Sequence, residues 1–270
     1  MQEKNLIKRL RNVGKQQFKM ERNKILLKYF LMEKISKAQS LFFKLVPIGV
    51  FIIVTAAINI YMRIDYNNKR TSINELGGIW CTYDDHYNGG TSIVWPPASK
   101  KGENNFIKSA PGYNNKGYAV RITGVTGTKF GWDFIGVNTF LSPRSTCPEC
   151  VGIDLSRFKG IKFKTKGVVE AGEVKFILPY EARAVDNSRG ICKNLTGYGD
   201  YEADITKYIS PQWKEVKIIF RKDLKQPLWV SKEKRIDIER VLSDAKLFKW
   251  QYSKGEGHKI DLWIDDIELF

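Results

Sequence analysis

The C-terminal part of the chain, from about residue 79 to residue 270, alternates apolar and polar side chains with a period of two. In the segment GIKFKTK, for example, Ile161, Phe163 and Thr165 alternate with three lysines. This is the pattern of a β-strand with one buried face, because successive side chains of a strand point to opposite faces of its sheet. The pattern predicts strands at 80–84, 91–95, 120–122, 131–138, 160–166, 174–178, 216–220, 245–252 and 259–269.

The segments between these strands are rich in Gly, Asn and Pro, as in Asn88-Gly89-Gly90, and only 236–243 has the pattern of a short helix. Many strands separated by turn signals, with almost no helix, are typical of a β-sandwich. We therefore predict an all-β fold, with residues 79–270 as one domain that is large enough to bury its own core.

The last predicted strand changes its parity. Ile260, Leu262 and Ile264 share one face, whereas strict alternation would place Ile267 and Leu269 on the opposite face. Both sets can face the core only if one residue is added near Asp265-Asp266, which is the definition of a β-bulge. The sequence therefore predicts a bulge at this point.

Two adjacent carboxylates at a bulge favour a hard cation, because Ca²⁺ takes six to eight oxygen ligands from carboxylates and carbonyls. Asp265 and Asp266 would be joined by Asp84 and Asp85 of the first predicted strand if the first and last strands are neighbours. The alternative is that all four are surface aspartates at strand ends. We predict a structural Ca²⁺ at these residues.

Residues 45–62, LVPIGVFIIVTAAINIYM, form an apolar run of 18 residues without a charge. An α-helix needs roughly 20 apolar residues to cross the hydrocarbon core of a bilayer, and roughly 17 suffice without tilt. A cleaved signal peptide does not fit, because 44 residues precede the run. A buried core helix would have a polar face, and only Thr55 and Asn59 interrupt this one. We predict a transmembrane helix at 45–62 and a polar linker at 63–78.

Residues 1–44 form a basic tail, whose 12 Lys or Arg and three Glu account for +9 of the total net charge of +16. Apolar residues at helical spacing predict a basic amphipathic helix that lies on anionic lipid or binds a partner.

Basic segments beside a first membrane helix stay in the cytoplasm. The domain 79–270 is then expected in the periplasm or outside the cell. Because the charge excess lies mostly in the tail, we predict no nucleic-acid partner.

All four cysteines follow the apolar run, and an even number there is consistent with an oxidising compartment. They are Cys81, Cys147, Cys150 and Cys192. Cys147 and Cys150 form a C-x-x-C motif, for which a redox pair or half a zinc site are the functional alternatives. Pro143 and Pro148 place this motif in a loop rather than at the start of a helix, which favours structural disulfides, with three connectivities open.

The order of several segments resembles a known group. GIDLSRFKGIKFKTKG (152–167), VKFILP (174–179), LFKWQY (247–252) and DLWIDDIELF (261–270) are similar to segments of family-11 carbohydrate-binding modules and the related complex I intermediate-associated domain. The resemblance covers nearly all of 79–270. It implies a galactose-binding-like jelly roll, a structural calcium near the last strand with Asp265 or Asp266 as a ligand, and a concave face that binds glycan chains. The cysteines are a departure from this pattern.

Sugar rings stack an apolar face on aromatic side chains, while their hydroxyl groups need fixed polar partners. Tyr180 is followed by polar loop residues, among which Arg183 could pair with vicinal hydroxyls and Asp186 could accept a hydrogen bond. Trp250 and Tyr252 share one face of a strand that lines the concave sheet in the resembling group. We predict these five residues as the carbohydrate site.

The sequence does not favour an enzyme. It contains two histidines, His86 and His258, and no nucleophile elbow, P-loop or His-Glu-x-x-His motif. Two function classes remain. The first is a membrane-anchored, non-catalytic domain that binds a polysaccharide, and the second is a β-sandwich that holds an envelope protein complex together.

Overall fold

The computed structural model describes residues 62–65, 71–98, 106–145, 151–179 and 199–270, and these residues form two antiparallel β-sheets packed face to face. The six-stranded sheet has the order β3-β4-β11-β6-β9, and β1 pairs with β11. Its strands are β1 (Met62–Asp65), β3 (Ile93–Trp95), β4 (Val120–Val125), β6 (Gly160–Val169), β9 (Lys214–Ile219) and β11 (Lys259–Leu269).

The five-stranded sheet has the order β2-β5-β10-β7-β8. Its strands are β2 (Trp80–Asp84), β5 (Phe134–Phe140), β7 (Glu173–Leu178), β8 (Tyr201–Asp204) and β10 (Leu247–Ser253). Helix is limited, among the described residues, to α1 (Phe220–Asp223), α2 (Ile238–Leu242) and single turns of 3₁₀ helix. The predicted all-β sandwich is confirmed.

The predicted bulge in the last strand is also confirmed. The pairing of β11 with β6 shifts register between Asp265 and Glu268, and Asp266 has a φ of 48°. As a result, Ile264 and Ile267 both face the core and are almost completely buried. The bulge therefore allows one long strand to keep its apolar face inward on both sides of the change of parity.

Strand β1 begins where the sequence predicts the end of a membrane helix and the start of a linker. Met62 pairs with Leu269 and Arg63 with Glu268, so β1 continues the edge of β11 beyond the segment that β4 covers. Ile64 is completely buried in the core. Met62, the last residue of the predicted membrane helix, and residues 63–65 of the predicted linker therefore lie in a strand of the sheet. A strand of four residues with one inward apolar side chain has no periodicity from which it could be predicted.

The remaining residues of the predicted membrane helix and of the basic tail lie outside the described residues. Within the part of the chain that the structure describes, no helix has the length and apolar character needed to span a bilayer.

The core between the sheets is built around Trp250 of β10. Its indole contacts the rings of Trp80, Phe163 and Phe176, with centroid distances of 5.6, 5.4 and 5.4 Å. Trp80 and Phe176 belong to the five-stranded sheet and Phe163 belongs to the six-stranded sheet. Trp250 therefore joins the aromatic side chains of both layers, and offset and edge-to-face contacts of this kind stabilise a core beyond simple burial.

A buried polar cluster ties β1 to the opposite sheet. The Asp65 carboxylate accepts hydrogen bonds from Trp80 Nε1 at 2.7 Å and from Lys108 Nζ at 2.6 Å. The side chains of Asp65 and Lys108 are almost inaccessible to solvent. Burial raises the pKa of Asp65 to about 6, although the neighbouring Lys108 ammonium acts in the opposite direction. Each charge of the pair therefore compensates the other, and burial of either charge alone at this position would be unfavourable.

Candidate functional site

The structure corrects the placement of two residues of the predicted carbohydrate site. Trp250 and Tyr252 are completely buried and point into the core between the sheets. The outer face of β10 carries Lys249 and Gln251 instead, because alternate residues of a strand point to opposite faces. Tyr180, Arg183 and Asp186 lie outside the described residues, and their role in glycan binding stays a prediction.

A row of four aromatic rings leads onto the outer face of the five-stranded sheet, and we call it the aromatic row: Phe130, Trp132, Phe134 and Tyr83. The rings of Phe130 and Trp132 are parallel, with an angle of 1° and a centroid distance of 4.4 Å. Phe134 lies 6.3 Å from Trp132, and Tyr83 lies 6.0 Å from Phe134. Trp132 is 48% exposed, although the Phe130 ring lies parallel to one face of its indole.

Buried carboxylates hold the loop that carries the row. Asp133 accepts a hydrogen bond from Phe130 N at 2.6 Å, which closes the turn around Trp132. Asp85 accepts from Ser92 N, from Ser92 Oγ and from Phe134 N, so it joins the end of β2 to the start of β5. These bonds position the row on a rigid frame rather than on a loop that has to be ordered by the ligand.

Glycine at position 136 allows Tyr83 to lie flat on the sheet. A Cβ atom at this position would be 2.4 Å from Tyr83 Cζ, which is closer than such atoms can approach. From there the Tyr83 hydroxyl donates to Gln251 Oε1 at 3.2 Å, and Lys249 Nζ lies 5.2 Å from the ring centre. The inner end of the aromatic row is thus surrounded by polar groups that face outward.

Burial affects the ionisation of these groups. It raises the pKa of Tyr83 well above its usual value, and the charge of Asp200 adds to this effect, so the hydroxyl remains a hydrogen-bond donor. Burial lowers the pKa of Lys249, and Asp200, whose carboxylate is 3.9 Å away, partly offsets this. The charged groups of this face lie close to partners of opposite sign, because Lys175 is paired with both Glu173 and Glu202.

The segment FGWDF (130–134) contains a signal that was overlooked at the sequence level. Its three aromatic residues are two positions apart, and they have the opposite parity to the apolar pair Ile135 and Val137. Ile135 and Val137 are completely buried, so Phe134, which has the opposite parity, must lie on the outer face of the strand. Trp132 and Phe130 continue this outward-facing parity toward the N-terminus. Aromatic residues at strand positions that normally carry polar, outward-facing side chains therefore indicate an exposed aromatic surface.

The structure does not bring the four predicted calcium ligands together. Asp84 ends β2, at the edge of the five-stranded sheet, and Asp85 follows it, whereas Asp265 and Asp266 lie in β11, in the middle of the other sheet. Both Asp265 oxygens already accept backbone hydrogen bonds, from Tyr113 N and Asp266 N. Within the described ranges, no group of three or more His, Cys, Asp or Glu residues is arranged to hold a metal. These residues do not fit a shared cation site, and calcium binding stays a prediction from the sequence.

Cys81 is completely buried on the outer side of β2, where it packs with Phe140 and Leu247. No cysteine in the described part of the chain has a free thiol. Cys147, Cys150 and Cys192 lie outside that part, so the disulfide connectivity stays a prediction.

No protein-family model and no curated protein matches the chain. Solved structures do match. One is a family 11 carbohydrate-binding module from Clostridium thermocellum in complex with a β-1,3-1,4-mixed-linked tetrasaccharide, with 16% identity, a TM-score of 0.46 and coverage of 78% of this chain and 95% of the other. Another is a family 30 carbohydrate-binding module of a cellulosomal cellulase of the same organism, with 16% identity, a TM-score of 0.40 and coverage of 78% and 97%.

A third match is a family 29 carbohydrate-binding module variant complexed with mannohexaose, with 13% identity, a TM-score of 0.32 and coverage of 78% and 90%. The similarity to family 11 modules that the sequence motifs indicate is thus also a similarity of structure.

Proposed function

We propose that this domain binds a neutral polysaccharide through the aromatic row on the outer face of its five-stranded sheet. The observation that carries the proposal is the accessible Trp132 indole, which is stacked on Phe130 and continued by Phe134 and Tyr83. A platform of this kind matches the apolar face of a sugar ring, because the ring loses little hydration when it stacks. Several rings in succession match an extended chain better than a single sugar.

The polar groups at the inner end of the row favour a neutral ligand. Tyr83 is almost completely buried and its hydroxyl is already bonded to Gln251 Oε1, so the half-buried Gln251 amide nitrogen is the group at this end that can donate to a sugar hydroxyl. Lys175 contacts Glu173 and Glu202 and Lys249 lies near Asp200, so most of the charge on this face is paired. Lys129, beside Phe130, donates to the backbone oxygen of Gly89. A face on which most charges are paired attracts a polyanion only weakly over long distances.

The proposed role is binding without catalysis. Hydrolysis of a glycosidic bond requires one carboxyl group as acid and a second as base or nucleophile. On this face, Glu173 and Glu202 are held by Lys175 instead. We further propose, from the sequence alone, that the apolar run from residue 45 to residue 61, which ends before Met62 of β1, anchors the chain in a membrane with the basic tail in the cytoplasm. The domain would then present its sugar site in the periplasm or outside the cell.

The test is binding of the full-length protein, in detergent, to a panel of soluble β-glucans and mannans, measured by affinity electrophoresis and calorimetry. Trp132→Ala should weaken binding about five- to tenfold, because loss of one stacked ring removes roughly 1–1.5 kcal/mol. Binding should not change with salt, since no net charge is involved.

Trp229→Ala is the matched control, because Trp229 is a 67% exposed tryptophan outside the aromatic row. It should leave binding unchanged, and both variants should melt like the parent protein. Equal affinity of Trp132→Ala and the parent would disprove the assignment of the row. If no polysaccharide binds the intact protein, the alternative role as an envelope assembly module becomes the better explanation.

A further inference from the structure

The outer face of the six-stranded sheet, on the other side of the sandwich from the aromatic row, contains an open trough with a volume of about 450 Å³. Ligand sites in proteins typically have volumes of about 300–1,000 Å³. The side chains that line it come from three adjacent strands or their ends: Thr123, Val125, Lys259, Asp261, Val168 and Glu170. None of these residues belongs to the site proposed above.

Strand register places the lining residues on one face. Thr123 is opposite Asp261 and Val125 is opposite Lys259 in the pairing of β4 with β11, and Asp261 is opposite Val168 in the pairing with β6. On the other flank, β3 adds Trp95 opposite Thr123 and Ile93 opposite Val125. Directly opposed residues have Cβ atoms about 5 Å apart, so the Trp95 side chain begins beside the floor of the trough.

The flanks of the trough are apolar and open to solvent. Trp95 is 66% exposed and Ile93 is 62% exposed on β3, the strand next to the lining residues Thr123 and Val125, and Val168, which lines the trough, is 53% exposed. Isolated apolar side chains on a surface are ordinary, but an apolar rim around a concave polar floor is characteristic of a ligand site. An exposed indole beside the floor provides a flat surface on which a ring can stack.

The floor contains a fixed pair of polar groups. Arg121 donates to both Asp261 oxygens, from Nε at 2.9 Å and from Nη2 at 2.8 Å, and its guanidinium lies 4.8 Å from the centre of the Trp263 ring. Each Asp261 oxygen accepts one of these hydrogen bonds and can accept a second from a donor such as a sugar hydroxyl. Thr123 of β4 lies directly opposite Asp261 in the strand pairing. The carboxylates of Asp261 and Glu170 are balanced by Arg121 and Lys259, so the floor has no net charge.

We propose that this trough is a second saccharide site, which takes one or two neutral sugar units. A sugar ring would stack on Trp95, and its hydroxyl groups would contact Asp261 and Thr123. This inference takes the ligand class from the proposed function and adds a site on the opposite face. The domain could then hold two chains at once, which raises the apparent affinity for a polymer without any new contact.

Calorimetry on the full-length protein in detergent, with a β-glucan tetrasaccharide and a mannan tetrasaccharide as probes, separates the two sites. An oligosaccharide of this length cannot contact both faces, so the parent protein should bind two per chain. Trp95→Ala and Trp132→Ala should each bind one, and the double variant should bind none. Thr123→Val, which keeps the shape and removes the hydroxyl, should weaken only the site that Trp95→Ala removes. Trp229→Ala serves as the control for both.

The outcomes distinguish the two proposals. One bound oligosaccharide in the parent protein, lost in Trp132→Ala and unchanged in Trp95→Ala, would overturn the second site and leave the proposed function intact. One bound oligosaccharide that is lost only in Trp95→Ala would support the trough and overturn the assignment of the aromatic row. Absence of any binding would overturn both.

Discussion

Replacement of Trp250 by alanine is expected to lower the free energy of unfolding by about 3–5 kcal/mol, the range for large aromatic side chains in a core. Trp250 is completely buried, and its ring contacts three aromatic side chains contributed by both sheets. Its loss leaves a cavity that rigid neighbouring strands cannot fill. For a domain of this size, the melting temperature should fall by about 10 °C or more.

Thermal unfolding of the full-length protein, followed by circular dichroism at a wavelength that reports β-structure, measures this effect. Trp229→Ala is the control of the same chemistry, because that indole is mostly exposed and such substitutions usually change stability by less than about 0.5 kcal/mol. If Trp250→Ala melted like the parent protein and lost only glycan binding, Trp250 would belong to the carbohydrate site, as the sequence analysis supposed.

The pattern along β10 shows why this residue was misplaced. Phe248, Trp250 and Tyr252 alternate with Lys249 and Gln251, and this pattern alone predicts that the three aromatic residues face the core. The prediction of an exposed face came from the resemblance to carbohydrate-binding modules rather than from the residues. Parity was therefore the better guide to which side of this strand is buried.

Parity also explains which features could be predicted. The bulge in β11 followed from five apolar residues of one strand, which is local information. By contrast, β1 depends on pairing of Met62–Asp65 with a strand some 200 residues away, and its four residues contain no period. The trough likewise combines β3, β4, β6 and β11, whose neighbourhood is a property of the topology and not of any segment.

The calcium prediction joined four aspartates that lie in different sheets, for a similar reason. It required the strand at 80–84 to lie beside the last strand, but that strand is at the edge of the other sheet. Instead, β1 is the neighbour of β11 near the bulge, and it contributes Asp65 with its partner Lys108. The buried Asp65 carboxylate is thus paired with Lys108, a cation that the chain itself supplies.

Replacement of Lys108 by methionine is expected to lower the free energy of unfolding by about 3–5 kcal/mol at neutral pH, because removal of one partner leaves the other charge buried and uncompensated. Methionine retains the length of the buried aliphatic chain, so the effect should come mainly from the lost ammonium group. The distance of 2.6 Å between Lys108 Nζ and Asp65 Oδ1 identifies Asp65 as the group that loses its partner.

The free energy of unfolding that Lys108→Met loses should increase with pH. Burial already raises the pKa of Asp65 from 3.8 to about 6 in the presence of Lys108, and without the ammonium this pKa should rise further. A carboxyl group with a higher pKa in the folded state binds its proton more tightly there, so stability falls as pH rises through that pKa. Because Asp65 is protonated in both folded proteins below about pH 6, the difference between the variant and the parent protein should be small there and should grow as pH rises above 6.

Lys164→Met is the matched control, because Lys164 forms an ion pair of similar length, 2.9 Å, with the half-exposed Glu215. An exposed pair of this kind contributes roughly 0–1 kcal/mol, so the control should unfold close to the parent protein. Urea titrations of the parent protein and both variants at a series of pH values give the three curves. A deficit in Lys108→Met that stayed constant with pH would show that the loss arises from packing, and that Asp65 does not take up a proton when its partner is removed.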